Sequence, residues 1–203
     1  MNRLKSIFGQ TVDEVWEKLC KQINGEIVDR GMWKDKRIEV KYKCWTIILD
    51  CYTIMAGETP MTYTRIRAPF INLDDFRFKI YNKNILNSIG KEIDMEEIKT
   101  ENEDFDNNYI IKTTNVEKMN IILSKEKIFN IILKQKEINL EIRDDEGKFG
   151  VEFPKNVDEI YFHTLGIIKD GERLKDLYHL FCELLDSLCE IGSSHEEKIS
   201  LEI

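Results

Sequence analysis

Arg37-Ile-Glu-Val-Lys-Tyr-Lys-Cys-Trp-Thr-Ile-Ile-Leu-Asp-Cys-Tyr-Thr-Ile54 carries two strand patterns in succession, one half-buried and one apolar throughout. Ile38, Val40 and Tyr42 alternate with Arg37, Glu39, Lys41 and Lys43, the period of a strand with one face buried and one wet. Residues 44–54 are apolar on both faces and rich in Trp, Ile, Thr and Tyr, which predicts a strand placed centrally in a sheet. Residues 55–60, Met-Ala-Gly-Glu-Thr-Pro, read as a loop. Residues 62–68 return as a strand that Pro69 helps to stop, and residues 75–81 give another. Upstream, Thr11 and Glu14 stand in capping-box spacing. Val12, Val15, Trp16, Leu19 and Ile23 then fall on one face of a helix predicted over 12–24, which Asn24-Gly25 ends. One helix followed by an antiparallel meander is the expectation for the first 80 residues.

The second half repeats strands in runs. A short helix is predicted over 84–93, followed by an acidic passage from Glu92 to Asp106 with eight carboxylates against Lys99 alone, which reads as a solvated loop. A strand is expected near 109–112. Asn115 and Ser124 are placed to cap helices carrying Val116, Met119, Ile122 and Leu123, and Ile128, Ile131 and Ile132. Ile138, Leu140 and Ile142, then Phe149, Val151 and Phe153 around Asp144-Asp-Glu-Gly147, predict a hairpin. One more strand follows over 159–168. A long helix over 171–191 is marked by Asp170 as cap, an eight-residue apolar stripe from Leu174 to Ile191 and Gly192 as stop. Strands in runs predict an α+β fold: antiparallel meanders with helices packed on one face and a long C-terminal helix. The expected organisation is a single α+β domain over 1–192, with weak pseudo-symmetry between 1–95 and 96–192, and a flexible tail over 193–203.

Composition narrows the class. The chain has 203 residues, 42% of them hydrophobic and 33% charged, with only 10 Gly and 3 Pro, which leaves little room for linkers. Thirty cations against 38 carboxylates give a net charge of −8, which argues against bulk nucleic-acid binding and against capture by an anionic membrane. No stretch reaches the about 20 apolar residues of a membrane helix, and the N-terminus lacks the apolar run of a signal peptide. The expectation is a cytoplasmic protein without a membrane association. Cys20, Cys44, Cys51, Cys182 and Cys189 form an odd set without a Cys-x-x-Cys pair and read as reduced, core or near-core thiols; Cys44 and Cys51 would sit on opposite faces of one strand.

Chemical motifs are sparse. The glycine-rich nucleotide loops, His-Glu-x-x-His and Gly-x-Ser-x-Gly are all missing, and the only histidines are His163, His179 and His195. No catalytic residue, metal or cofactor is therefore assigned. His179, Cys182, Glu183 and Asp186 share neighbouring positions on the last helix but lack further ligands, and the solvated flank of a helix is the better reading. Asp104 and Asp106 lack the ordered spacing of a calcium loop.

The more informative signal lies between residues 63 and 81. Alternation places Tyr63, Arg65 and Arg67 on one strand face and Arg77, Lys79 and Tyr81 on another. Pairing of these strands across 69–74 would gather four cations and two tyrosines on one surface. Guanidinium groups fork onto phosphates or carboxylates, and tyrosine faces stack on bases, so a small anionic, nucleotide-like ligand is the partner such a surface would take. The competing readings are a plain wet sheet face and a structural use, in which Asp50 faces Arg65 or Arg67 according to register.

Leu49-Asp-Cys-Tyr-Thr53, Tyr63-Thr-Arg-Ile-Arg-Ala-Pro-Phe70 and Phe105-Asp-Asn-Asn-Tyr-Ile-Ile-Lys112 resemble a group of uncharacterised bacterial proteins, and the similarity continues through Phe149-Gly150 and Arg173-Leu-Lys-Asp-Leu-Tyr178. The resemblance implies a single α+β unit and carries over no activity and no site residue. The Lys-, Ile- and Asn-rich composition is similar to that of low-GC bacteria and their phages. The function expected is a non-enzymatic binding protein that holds or sequesters the anionic ligand. The alternative is a protein–protein interaction module or homodimeric regulatory protein, and an enzyme built on carboxylates such as Asp50 or Asp104 comes third.

Overall fold

A computed structural model describes residues 11–29, 37–84, 94–144 and 153–199. In chain order the elements are α1 (Val12–Gln22), β1 (Glu26–Val28), β2 (Arg37–Tyr42), β3 (Trp45–Ala56), β4 (Thr59–Ile71), β5 (Phe78–Asn82), β6 (Glu96–Ile98), α2 (Glu103–Asn108), β7 (Tyr109–Thr113), α3 (Val116–Leu123), α4 (Glu126–Leu133), β8 (Asn139–Arg143), β9 (Val157–Leu165) and α5 (Gly171–Glu190). All strands join one antiparallel sheet in the order β1-β2-β3-β4-β9-β8-β5-β7-β6. The fold is the expected α+β class.

Alternation makes this sheet two-sided. Ile38, Val40, Ile47, Leu49, Ile66, Ala68, Phe70, Ile160, Phe162, Leu140, Ile80 and Ile111 are buried in one hydrophobic cluster with Val15, Leu19, Met119, Ile128, Leu177, Phe181 and Leu184 of the helices. The opposite face carries the polar partners of the same strands. Local chemistry fixes the ends of the covering helices. Thr11 and Glu14 close a reciprocal capping box on α1, as expected. Asp170 accepts from the backbone of Glu172 and Arg173 at the start of α5. At the other end Gly192 takes φ +72°, and Ser193 N donates to Leu188 O while Gly192 N donates to Cys189 O, the paired bonds of a glycine-terminated helix. Gly25 is required for a different reason: a Cβ there would lie 2.8 Å from Ile38 Cγ2, so only glycine lets the chain leave α1 against β2.

Several expectations are corrected. Residues 55–60 are no open loop: pairing runs to Ala56↔Thr59, and Gly57 at φ +65° makes the tight turn. Pro69 does not stop β4, which continues to Ile71; pairing with β3 ends at Arg67, so at Pro69 the strand has β9 alone as neighbour and one missing N–H is tolerated. Cys44 lies in the turn before β3 rather than on the strand with Cys51. All five cysteines are free thiols. The acidic passage contains β6 and α2, because Asn102 caps Phe105 N, Asp106 accepts from Thr100, and Phe105 fills the core. Ser124 closes α3 instead of opening α4, and its hydroxyl donates to Ile121 O. Residues 193–194 are packed rather than loose: Leu73 N donates to Ser193 O, and Lys118 Nζ to Ser193 Oγ. Phe149 and Val151 of the expected hairpin, and residues 85–93 of the helix expected over 84–93, lie outside the described residues.

Candidate functional site

The two strands expected to meet do not pair. β9 and β8 stand between β4 and β5, since β4 takes β9 along Thr64–Ile71 and β5 takes β8 and β7. The face nevertheless remains common to them. Arg65 stands opposite Asp50 on β3 and His163 on β9, and Asn139, opposite Tyr81, reaches His163 by a 3.1 Å hydrogen bond. In the neighbouring row Ile48, Arg67, Tyr161, Glu141 and Lys79 stand opposite one another in turn.

Asp50 organises one end of this face. Arg65 donates to it through Nε (2.8 Å) and Nη2 (2.7 Å), and Arg67 Nη2 adds a third bond at 3.1 Å. Asp50 therefore pairs with both candidates that the sequence left open. Burial opposes its charge, but the hydrogen bond from Arg65 and the charges of Arg67 and Arg65 win and hold its carboxyl below the ordinary range. The Arg65 guanidinium also lies 4.8 Å from the centroid of Tyr52, which stacks on Tyr63 at 5.3 Å. Tyr52 and Tyr161 share a hydroxyl contact of 3.3 Å.

A second ion pair closes the other side. Arg143 Nε donates to Glu159 Oε1 at 2.7 Å, and the Arg143 guanidinium carbon sits 3.4 Å from the Tyr161 ring centroid. Lys79 pairs with Glu141 at 3.2 Å and lies 5.9 Å from the Tyr81 ring. Between these pairs His163 meets Tyr63 and Tyr161 edge-on, at centroid distances of 5.8 and 5.2 Å. Desolvation, helped by the charges of Arg143, Lys79 and Arg65, pushes its pKa down to about 4, so the ring is neutral at pH 7. His163 Nδ1 and Asn139 Oδ1 are buried and find no hydrogen-bond partner among the described residues.

Of the six residues singled out by sequence, the structure brings Tyr63, Arg65, Arg67, Lys79 and Tyr81 onto one face, although Arg67 and Tyr81 are buried in it. Arg77 is not part of it. It precedes β5, so strand alternation does not govern it; its Nε donates to Asp158 Oδ2 at 3.1 Å and its Nη1 pairs with Asp144 at 2.8 Å. Asp158, which also accepts from Asn72 at 2.6 Å, belongs to the opposite parity of β9 from Tyr161 and His163. The expectation also missed Asp50's full role, Tyr52, Asn139, Glu141, Arg143, Glu159, Tyr161 and His163. Their signal was present as alternation in Glu159-Ile-Tyr-Phe-His163 and Asn139-Leu-Glu-Ile-Arg143, but the insertion of β9 and β8 between β4 and β5 is a long-range choice that local period does not encode.

Elsewhere, an open cleft of about 460 Å³ beside the start of α5 is lined by Lys134, Lys136, Lys169 and Arg173 with Asp170, Glu172 and Asp176. Arg173 is held there by Gln135 Oε1 at 2.9 Å and Glu137 O at 2.8 Å. Among the described residues no group of three or more His, Cys, Asp or Glu side chains is arranged to hold a metal. Glu183 pairs with Lys127 and Asp186 with Tyr42 and Lys43. No helix among the described residues is long and apolar enough to cross a membrane.

No family model and no curated protein matches the chain. Among solved structures, the chain is similar to the crystal structure of the mycobacterial trehalose monomycolate transport factor A, TtfA, with a TM-score of 0.50 and 8% identity, over 89% of this chain and 96% of that one. At that identity the likeness is one of fold.

Proposed function

We propose that the protein is a non-enzymatic binding protein that takes a small anionic, nucleotide-like ligand on the polar face of its sheet. The observation that carries this reading is the ring of oriented guanidinium and tyrosine groups around His163. Among the described residues of this face, Arg65 and Arg67 stand against Asp50, Lys79 against Glu141 and Arg143 against Glu159, within a chain of net charge −8. Arg65 and Arg143 are fixed by their carboxylates and by the tyrosines beneath them, so little side-chain freedom is lost when they meet a phosphate or carboxylate. Tyr63 and Tyr52 supply a planar stacking surface. With Asn139 Nδ2 donating to His163 Nε2, the neutral ring is held in one orientation between Tyr63 and Tyr161. Arg67 is a positioning group, since it is 1% exposed and acts by holding Asp50. The similar fold belongs to a transport factor, which agrees with a holding role rather than a chemical one.

Native mass spectrometry of protein purified from its own host tests the reading. A retained anionic species of small mass, lost in Arg65→Gln and Arg143→Gln variants that remain folded, is the expected result. Retention unaffected by both changes, or a protein that carries and takes up no small anion, overturns it.

A further inference from the structure

A guanidinium held by neutral acceptors lines the cleft beside the start of α5. Arg173 Nε donates to Gln135 Oε1 at 2.9 Å and Nη2 to Glu137 O at 2.8 Å, so one edge of its fork is committed to an amide and a backbone carbonyl. Those acceptors are themselves fixed. Gln135 is 3% exposed, its Nε2 donates to Ile131 O at 3.1 Å, and its own carbonyl accepts from the Tyr109 hydroxyl at 2.7 Å. The guanidinium is therefore oriented without being neutralised by a contacting carboxylate among the described residues. Burial lowers its pKa, although the charges of Glu137 and Asp170 act the other way.

This is the reverse of the sheet face, where Arg65, Arg67, Lys79 and Arg143 each contact a carboxylate. The remaining charges of the cleft divide by commitment. Asp170 is engaged in the α5 cap, where it accepts from Glu172 N and Arg173 N, and Asp176 stands 4.0 Å from Lys134. Lys136, Lys169 and Glu172 are exposed and make no ion pair among the described residues. The backbone beside both lysines is anchored: Asn82 Nδ2 donates to Lys136 O, Trp16 Nε1 donates to Ile168 O, and Ile168 N donates to Thr64 Oγ1. Ile167, 39% exposed, gives the cleft an apolar wall.

We propose that this cleft is a ligand site separate from the sheet face, one that takes the carboxylate or phosphate head of a small aliphatic molecule. Arg173 receives the head through the remaining protons of Nη1 and Nη2, which have no partner among the described residues. Lys136 and Lys169 adjust around it, and the aliphatic part lies on Ile167. A cation is the poorer occupant, because Asp170 and Asp176 already have partners and Glu172 alone of the cleft carboxylates does not. A volume of about 460 Å³ suits a ligand larger than inorganic phosphate. An open cleft exchanges its ligand quickly, with a dissociation constant of about 1–10 mM, so its complex does not survive purification. The inference rests on the cleft alone and stands apart from the sheet-face reading.

Amide NMR titration of the full chain with valerate, n-butyl phosphate, n-butylammonium and n-butanol tests it. The expected result is saturable shifts centred on residues 134–137 and 167–173 with the anions, and no comparable response to butylammonium or butanol. Valerate and butyl phosphate separate the two head groups: a response to both assigns the shared oxyanion, and a response to one narrows the site to that head. In Lys136→Gln/Lys169→Gln, which alters exposed side chains and keeps the fold, the dissociation constant rises about threefold or more. Arg173→Gln abolishes saturation. Shifts confined to the sheet face overturn this proposal and leave the sheet-face reading standing. An equal response to butylammonium, no saturable response up to about 50 mM, or a lysine-pair variant that binds like the wild type also overturns it.

Discussion

The root and the tip of one hairpin distribute polarity in opposite ways. At the root, Asp50 and Arg67 are 5% and 1% exposed, while toward the tip of the same two strands Ile54 and Met55 stand in solvent. Among the described residues, β2 and β9 flank the root, so charged side chains there are enclosed and had to be paired, whereas the pairing of β2 with β3 ends at Leu49 and that of β9 with β4 begins at Thr64, short of the tip. Buried charge and exposed apolar surface are the informative departures from an ordinary sheet, and both occur on this one element.

Asp50→Ala is the strongest attack on that contrast. It leaves the Arg65 and Arg67 charges at the root without their shared carboxylate and is expected to cost about 3–5 kcal/mol in urea-unfolding stability. A loss below that of any tip substitution would break the comparison. Acidification acts on the same face with the next largest effect. The folded pKa of His163 is about 4 against an ordinary 6.5, so between those values the unfolded chain binds a proton that the folded chain refuses. Stability therefore rises with pH through this window and falls on acidification, by up to about 3 kcal/mol for the full shift. Asp158, whose burial raises its carboxyl, acts with opposite sign, so the test is the difference between the wild type and His163→Gln, whose unfolding midpoint should vary less from pH 6.5 to 4.

Smaller effects locate the border between root and tip. Tyr52→Phe removes the hydroxyl contact to Tyr161 and is expected to cost about 1 kcal/mol by the same unfolding measurement. Ile54→Ala, two residues further out, should change stability by no more than about 0.5 kcal/mol in dilute protein. Equal losses at the two positions would mean that the tip is packed against the body.

Much of this architecture was legible in residue order. The capping box at Thr11 and Glu14, the period-two strands around Ile38 to Tyr42 and the stripe from Leu174 to Leu188 all depend on neighbours within one or two turns, where local sterics and hydrogen bonds decide the outcome. The candidate site was legible only by strand. Alternation correctly assigned Tyr63, Arg65 and Arg67 to one face, and Lys79 with Tyr81 to one face, but the strands between them come from residues 139–165. Those strands bring Glu141, Glu159 and Arg143, which turn an expected cationic surface into a mostly paired one. Arg77 shows the converse limit: one residue outside a strand, alternation no longer applies.

The proposed binding of a small anion on the polar sheet face is read out by amide and side-chain NMR shifts on titration. Adenosine monophosphate and inorganic phosphate serve as the probes. Saturable shifts centred on Tyr52, Tyr63, Arg65, Arg143 and His163, with phosphate alone affecting the arginines and the nucleotide also affecting the tyrosines, are the predicted result. Shifts confined to the cleft at the start of α5, or none with either probe up to the millimolar range, would contradict it.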